Sequence, residues 1–108
     1  MNIITATGES GRKYELKVYQ INSIPPKSSG IYIFLKTINS IPHPIYIGET
    51  QNFYNRIYFD FENHQQRGCI KRSGSTHVAI LEVFGSDQKR LDIETDLRRN
   101  YKTTCNLQ

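Results

Sequence analysis

Gly30-Ile31-Tyr32-Ile33-Phe34-Leu35 and Tyr46-Ile47-Gly48-Glu49-Thr50 are the stretches whose reading decides the fold. The first is a run of aromatic and β-branched residues, the pattern of a strand covered on both faces. The second holds a short strand, Ile45-Tyr46-Ile47, that stops at Gly48. Pro42 and Pro44 lie between them and predict a loop, since proline cannot donate to a strand ladder. Working outward, residues 3–7 and 13–20 read as two strands around the turn Gly8-Glu9-Ser10-Gly11. The second of these alternates Tyr14, Leu16 and Val18 against Glu15, Lys17 and Tyr19. Pro25-Pro26-Lys27-Ser28-Ser29 reads as an irregular loop. The pentapeptide Ile-Asn-Ser-Ile-Pro occurs at 21–25 and again at 38–42. It is far shorter than the ~20–50 residues of a repeat architecture and reads as similar loop chemistry at opposite strand ends.

From about Asn52 to Asn63 the period becomes helical. Phe53, Ile57 and Phe61 recur every four residues with Tyr54 and Tyr58 alongside, and Asn52, Arg56, Asp60 and His64 form the opposite stripe. A basic turn, Cys69-Ile70-Lys71-Arg72, sits between Gly68 and Ser73-Gly74-Ser75. Residues 76–84 alternate as a strand. A last helix is predicted from an N-cap at Ser86, with Asp87 complementing the dipole, to about Tyr101. Its inward face reads Leu91, Glu94, Leu97 and Tyr101, with Ile93 flanking. A carboxylate on a core face is costly unless it is paired or holds a cation. Glu94 therefore either sits at the edge of the stripe, reaching solvent or pairing with Arg98 at i+4, or faces a cation.

Composition bounds the function classes. A chain of 108 residues with 37% hydrophobic and 11% aromatic residues is one compact domain, too apolar for a disordered segment. None of its apolar runs approaches the ~20 residues a bilayer span needs. No basic region precedes a long apolar stretch at the N-terminus, so a cytoplasmic protein is expected. Cys69 and Cys105 are too few for a disulfide framework and are expected as free thiols. With His64 and His77 they could supply zinc ligands, but at spacings that match no paired-ligand pattern. Fourteen Lys and Arg against ten Asp and Glu leave a net charge of +4, which favours polyanionic partners only weakly.

Gly30-Ile31-Tyr32, Tyr46-Ile47-Gly48, Arg56 on the following helix, Glu94 on a later one and Asn106 beyond it together resemble the GIY-YIG nuclease family, over residues 30–107. Tyr46-Ile47-Gly48-Glu49-Thr50, His64, and the segment from Cys69-Ile70-Lys71-Arg72 to Thr76-His77 resemble its small single-domain bacterial members. The resemblance implies an α+β fold: a central antiparallel three-stranded sheet flanked by helices, with strands near 31–36, 44–48 and 76–84. Residues 1–29 would then be a β-hairpin extension and loop before a nuclease-like domain at 30–108. The implied activity is divalent-metal-dependent hydrolysis of phosphodiester bonds in DNA, RNA remaining open. Target choice would come from low specificity, DNA structure or a partner protein, with 1–29, the 38–44 loop and the basic 65–75 segment as its possible carriers. The alternative is a binding module of the same fold that does not cut. Monomer and dimer stay equally open.

Phosphodiester hydrolysis needs an activated water, charge stabilisation on the phosphoryl oxygens and help for the leaving oxygen. The resemblance implies that Glu94 anchors Mg²⁺, for which Mn²⁺ can substitute; such a hard cation keeps waters and tolerates one protein carboxylate. It implies Arg56 on the scissile phosphate, as a planar bidentate cation, although helix spacing alone equally allows pairing with Asp60. Tyr32 would be the general base and Tyr46 its neighbour in orienting the site, where a strand tyrosine taken singly is more often packing. A phenol titrating near ~10 needs positive charge nearby to serve as a base. His64 could assist Tyr32 or contact phosphate, or sit exposed at a helix end. Lys71, Arg72 and His77 are candidate nucleic-acid contacts, and Asn106 would brace the Glu94 region by hydrogen bonds.

Overall fold

A computed structural model describes residues 2–106. β1 (Ile3–Thr7) and β2 (Lys13–Gln20) form the expected N-terminal hairpin, followed by β3 (Gly30–Ile38) and β4 (Ile41–Thr50). A π-helical turn (Asn55–Phe59), a 3₁₀ turn (Phe61–Asn63) and α1 (Arg67–Arg72) lead to β5 (His77–Glu82). The chain closes with α2 (Asp87–Asn100) and a 3₁₀ turn at Thr104–Asn106. The strands make one five-stranded antiparallel sheet, in the order β1-β2-β5-β3-β4. The family-like triplet β5-β3-β4 is thus widened by the hairpin, which joins through β2 pairing with β5, Val18 opposite Ala79. No helix among the described residues is long and apolar enough to cross a membrane.

β3 lies between two strands, and its alternate residues feed two cores. Ile31, Ile33 and Leu35 pack with Leu16, Ile47, Ala79 and Leu97 on the side that α2 covers. Tyr32 and Phe34 pack with Phe53, Ile57, Ile70 and Ile80 on the other. Each such fully buried side chain stabilises the fold by about 1.5–3 kcal/mol, which is why the unbroken apolar run at 31–35 belongs in the centre of the sheet.

Several elements depart from the sequence reading. The prolines do not make a loop: the β3–β4 hairpin turns tightly at Asn39 and Ser40, both in the left-handed region, and Pro42 and Pro44 lie within β4. β4 is an edge strand, where a missing N–H costs nothing. Instead of one helix over 52–63, an Asp60 N–H to Asn55 C=O bond winds a π turn, and Asp60 at φ −114° ends it. The inward face of α2 is also rotated. Ile93, Leu97 and Tyr101 meet the core, Leu91 is exposed, and Arg90, Glu94 and Arg98 form the neighbouring stripe. Ser86 does cap the helix, accepting from the Lys89 N–H.

Cys69 and Cys105, expected as free thiols, are joined in a disulfide across a sequence separation of 36. The chain returns after α2 to the sheet face that carries α1, so tertiary packing brings together two cysteines that no local pattern links. Closing a loop of this length restricts the unfolded chain. The Cys69→Ser/Cys105→Ser variant is therefore expected to lose about 2–4 kcal/mol of stability in urea denaturation, relative to oxidised wild type. Equal midpoints with and without reductant would show that the crosslink contributes nothing.

Candidate active site

Gly30, which opens β3, and Gly48, inside β4, are there for space; β4 does not stop at Gly48 as its sequence suggested but runs on to Thr50, paired with Gly30. A Cβ on Gly30 would lie 1.9 Å from the Leu81 carbonyl oxygen of β5. One on Gly48 would lie 2.6 Å from Tyr32 Cζ and Oη, and 2.8 Å from Tyr46 Cε2. Gly48 faces Tyr32 directly across the β3–β4 ladder. The close approach expected at Gly48 is thus that of a side chain: the Tyr32 phenol crosses β4 where only glycine leaves room. Tyr46, opposite Phe34 and two residues before Gly48, shares its face by strand alternation, and a bulge just before it brings Ile45 there as well. The register shifts between Phe34, opposite Tyr46, and Leu35, opposite Pro44, leaving Ile45 as the extra residue. Bulges re-aim side chains in this way. The Tyr32 and Tyr46 rings, both in the regular part of the ladder, lie 6.0 Å apart between centroids.

His64 completes the cluster from the segment after the π turn. It is buried and not the exposed end of a helical stripe, because the chain leaves helical geometry at Asp60. Its Nε2 lies 2.8 Å from Tyr32 Oη, and its Nδ1 accepts from the Gln66 backbone N–H at 3.0 Å. An Nδ1 that accepts cannot carry the proton of a neutral imidazole, so the proton is on Nε2. His64 therefore donates to the Tyr32 oxygen and does not take its proton. Burial, with Arg56 adding to it, lowers the His64 pKa to about 4 and keeps the ring neutral. Burial pushes the Tyr32 phenol well above its ordinary value; Tyr46 adds to the rise, while Arg56 opposes it. Tyr46 is also raised by burial and by Glu94, with Arg98 and Arg56 pulling it down.

Glu94 approaches from the far side of the β4 edge, on α2. Its side chain is only 14% exposed, and its closest cation is Arg98 Nη1 at 3.8 Å, beyond hydrogen-bond distance. Burial raises its pKa; Arg98 opposes this, the Glu49 carboxylate adds to it, and the Glu49 amide favours the charged form. Asn106 holds that same edge in place. Its Oδ1 accepts from the Ile47 N–H at 2.7 Å and its Nδ2 donates to the Ile47 carbonyl at 2.9 Å, so the peptide between Tyr46 and Gly48 is clamped. Thr103 Oγ1 also donates to Asn106 Oδ1, and Arg98 reaches the Asn106 carbonyl at 3.4 Å.

Tyr32, Tyr46 and His64 thereby meet beside Gly48, with Arg56 near enough to act electrostatically on all three and Glu94 on Tyr46. The other sequence candidates lie apart. Lys71 is on α1, paired with Glu62 at 3.1 Å, and Arg72 beside it is exposed. His77 starts β5 on the sheet face away from Tyr32, its Nδ1 2.8 Å from Thr76 Oγ1. Two residues went unread in the sequence. Gln66 sets the tautomer of His64 through its backbone, which no side-chain pattern announces. Arg90 is buried, with Nε donating to Glu49 Oε1 at 3.0 Å and Nη2 to Asp87. Its place one helical turn before Glu94 was the available signal. No group of three or more His, Cys, Asp and Glu that could hold a metal occurs among the described residues, which covers the zinc arrangement.

Compared with known proteins, residues 28–106 match the model of the GIY-YIG catalytic domain family. Among solved structures, the chain is similar to the GIY-YIG N-terminal endonuclease domain of UvrC from Thermotoga maritima, seen in crystals of two tyrosine-to-phenylalanine point mutants, each bound to its catalytic divalent cation. One match has 26% identity and a TM-score of 0.62, over 82% of this chain and 91% of that one. The other, at 23% identity and a TM-score of 0.63 over the same shares, speaks for the fold alone. No curated protein matches the sequence.

The buried neutral His64 makes stability pH-dependent. Its pKa is about 4 folded, against the ordinary 6.5, so between these values the unfolded chain binds a proton that the native state does not. Its contribution is complete above the unfolded value and lost as pH falls toward the folded one, on the order of 2–3 kcal/mol. Urea denaturation at a series of pH values should show this slope in wild type and a flatter one in His64→Gln. Identical slopes would mean that His64 titrates as it does in the unfolded chain.

Proposed function

The chain belongs to the GIY-YIG catalytic domain family, and from that premise we propose that it is an endonuclease hydrolysing phosphodiester bonds in DNA with a divalent cation. The observation that carries this reading is the meeting beside Gly48 of a buried tyrosine hydrogen-bonded to a neutral histidine and a second tyrosine, with an arginine acting on all three and a largely buried carboxylate acting on the second tyrosine. The catalytic divalent cation of the Thermotoga maritima UvrC domain supports the same reading for this site.

The residues fit such a cation. Glu94 is a carboxylate mostly withdrawn from water whose one nearby cation stands too far off to satisfy it. A single protein carboxylate suits Mg²⁺, or Mn²⁺ in its place, because these ions retain several waters. Bound there, the ion would supply charge neutralisation on the phosphate and an acidified water. Everything else is work for the protein. Arg56 contacts the phosphoryl oxygens and neutralises charge that develops there. Tyr32 takes the proton of the attacking water as its phenolate. Burial alone opposes that phenolate, Arg56 favours it, and the His64 Nε2–H donates to it. Tyr46 orients groups on the same face, and Asn106 keeps the β4 edge at a fixed height beneath both phenols. Exposed Arg72 is suited to backbone phosphate outside the centre, and target choice rests on DNA structure, low specificity or a partner protein.

Cleavage of supercoiled plasmid and of a branched oligonucleotide with Mg²⁺, Mn²⁺ or EDTA tests this. Glu94→Gln and Tyr32→Phe are each expected to lose at least about 100-fold in rate, the scale of a lost general base or electrostatic group, while binding DNA as tightly as wild type. A folded wild type that binds but cuts no substrate with any metal would instead establish a non-catalytic binding module.

A further inference from the structure

The π turn that carries Arg56 also carries aromatic rings that the fold leaves in water. Phe59 is 73% exposed and Tyr58 41%. A hydrogen bond reaching five residues back brings residues five apart over one another, where an α-helix would rotate them away. Tyr54 and Phe59 accordingly lie nearly parallel, 14° between planes and 6.0 Å between centroids, and Tyr58 joins Tyr54 at 5.5 Å. On the other side, Lys27 Nζ stands 5.0 Å from the Tyr54 ring centroid. Its loop is fastened there by the Tyr54 and Phe53 amides, which donate to the Pro26 and Ser28 carbonyls. The nearest carboxylate in sequence, Asp60, is engaged by Asn63 Nδ2. The result is an exposed aromatic surface with Lys27 against Tyr54, on the same turn that carries Arg56.

On the premise of the nuclease reading above, we propose that Tyr54, Tyr58 and Phe59 form a platform on which an unpaired base next to the scissile phosphate stacks, which makes the substrate DNA with single-stranded character. Every base offers a π face, so such a platform tolerates sequence while rejecting a fully paired helix. Lys27 beside the stack complements the phosphate of the stacked nucleotide, and Arg56 on the same turn that of the scissile step. A second copy of this chain, with its net charge of +4, would meet the apolar rings but bring like charge to the cations.

Fluorescence anisotropy in EDTA, where nothing is cut, tests this with three labelled probes of equal length: oligothymidylate, an abasic strand and a duplex. Wild type should prefer oligothymidylate to the abasic strand. Tyr58→Ala/Phe59→Ala should weaken oligothymidylate binding by about five- to 150-fold and leave the other two probes unchanged. The exposed positions make loss of fold a minor risk, checked by circular dichroism, and Tyr58→Phe should retain wild-type affinity. Equal affinities of variant and wild type for oligothymidylate, or an equal loss on the abasic strand, would overturn the platform. So would a change in sedimentation of the variant with unaltered affinity, which would mark a contact between copies. Wild type that binds the abasic strand and duplex as well as oligothymidylate sinks the platform alone; wild type that binds no probe even at low salt sinks the nuclease reading with it.

Discussion

The Tyr32 phenol lying across Gly48 is the contact on which the site depends. Tyr32 belongs to the central strand and is buried, so its tip can reach the site only by passing over the neighbouring strand. A methyl group at position 48 would occupy the space of the Tyr32 Cζ and Oη. The remaining arrangements protect that crossing. Strand alternation puts Tyr46 on the same face as Gly48, the bulge adds Ile45 to it, and Asn106 clamps the Ile47 peptide between Tyr46 and Gly48. His64 meets the oxygen once it has arrived.

The electrostatics follow from the same burial. Withdrawing a phenol, an imidazole and a carboxylate from water favours the neutral form of each. A neutral imidazole with its proton held on Nε2 by the Gln66 amide is a donor to Tyr32. A carboxylate whose charged form is disfavoured is correspondingly receptive to a cation. Arg56 opposes the effect of burial at both tyrosines and reinforces it at His64, so one guanidinium helps to set the protonation of three groups.

Around this centre the fold spends its polar contacts on joining elements distant in sequence. Asp96 of α2 accepts from the Ser10 N–H, Ser10 Oγ and Tyr14 Oη, which fastens the N-terminal hairpin to the helix that carries Glu94. Arg90 ties the start of the same helix to Glu49 on β4. The disulfide holds α1 to the turn that presents Asn106. Glu94 is thus positioned from three directions.

What the sequence by itself determined was the set of elements whose signal is local. The apolar run at 31–35 read correctly as a strand covered on both faces, the alternation at 13–20 as a strand, and Ser86 as a helix start. The paired Gly-Ile-Tyr and Tyr-Ile-Gly tripeptides pointed to the family over the span that its model covers. Tertiary structure decided the rest, because those features depend on groups far apart in the chain. Proline positions looked like a loop until β4 proved to be an edge strand. The stripe at 52–64 read as one helix because four-residue spacing does not register the extra residue of a π turn. The pairing of Cys69 with Cys105, the burial of Arg90 and the tautomer of His64 each rest on a partner that only the folded chain brings within reach.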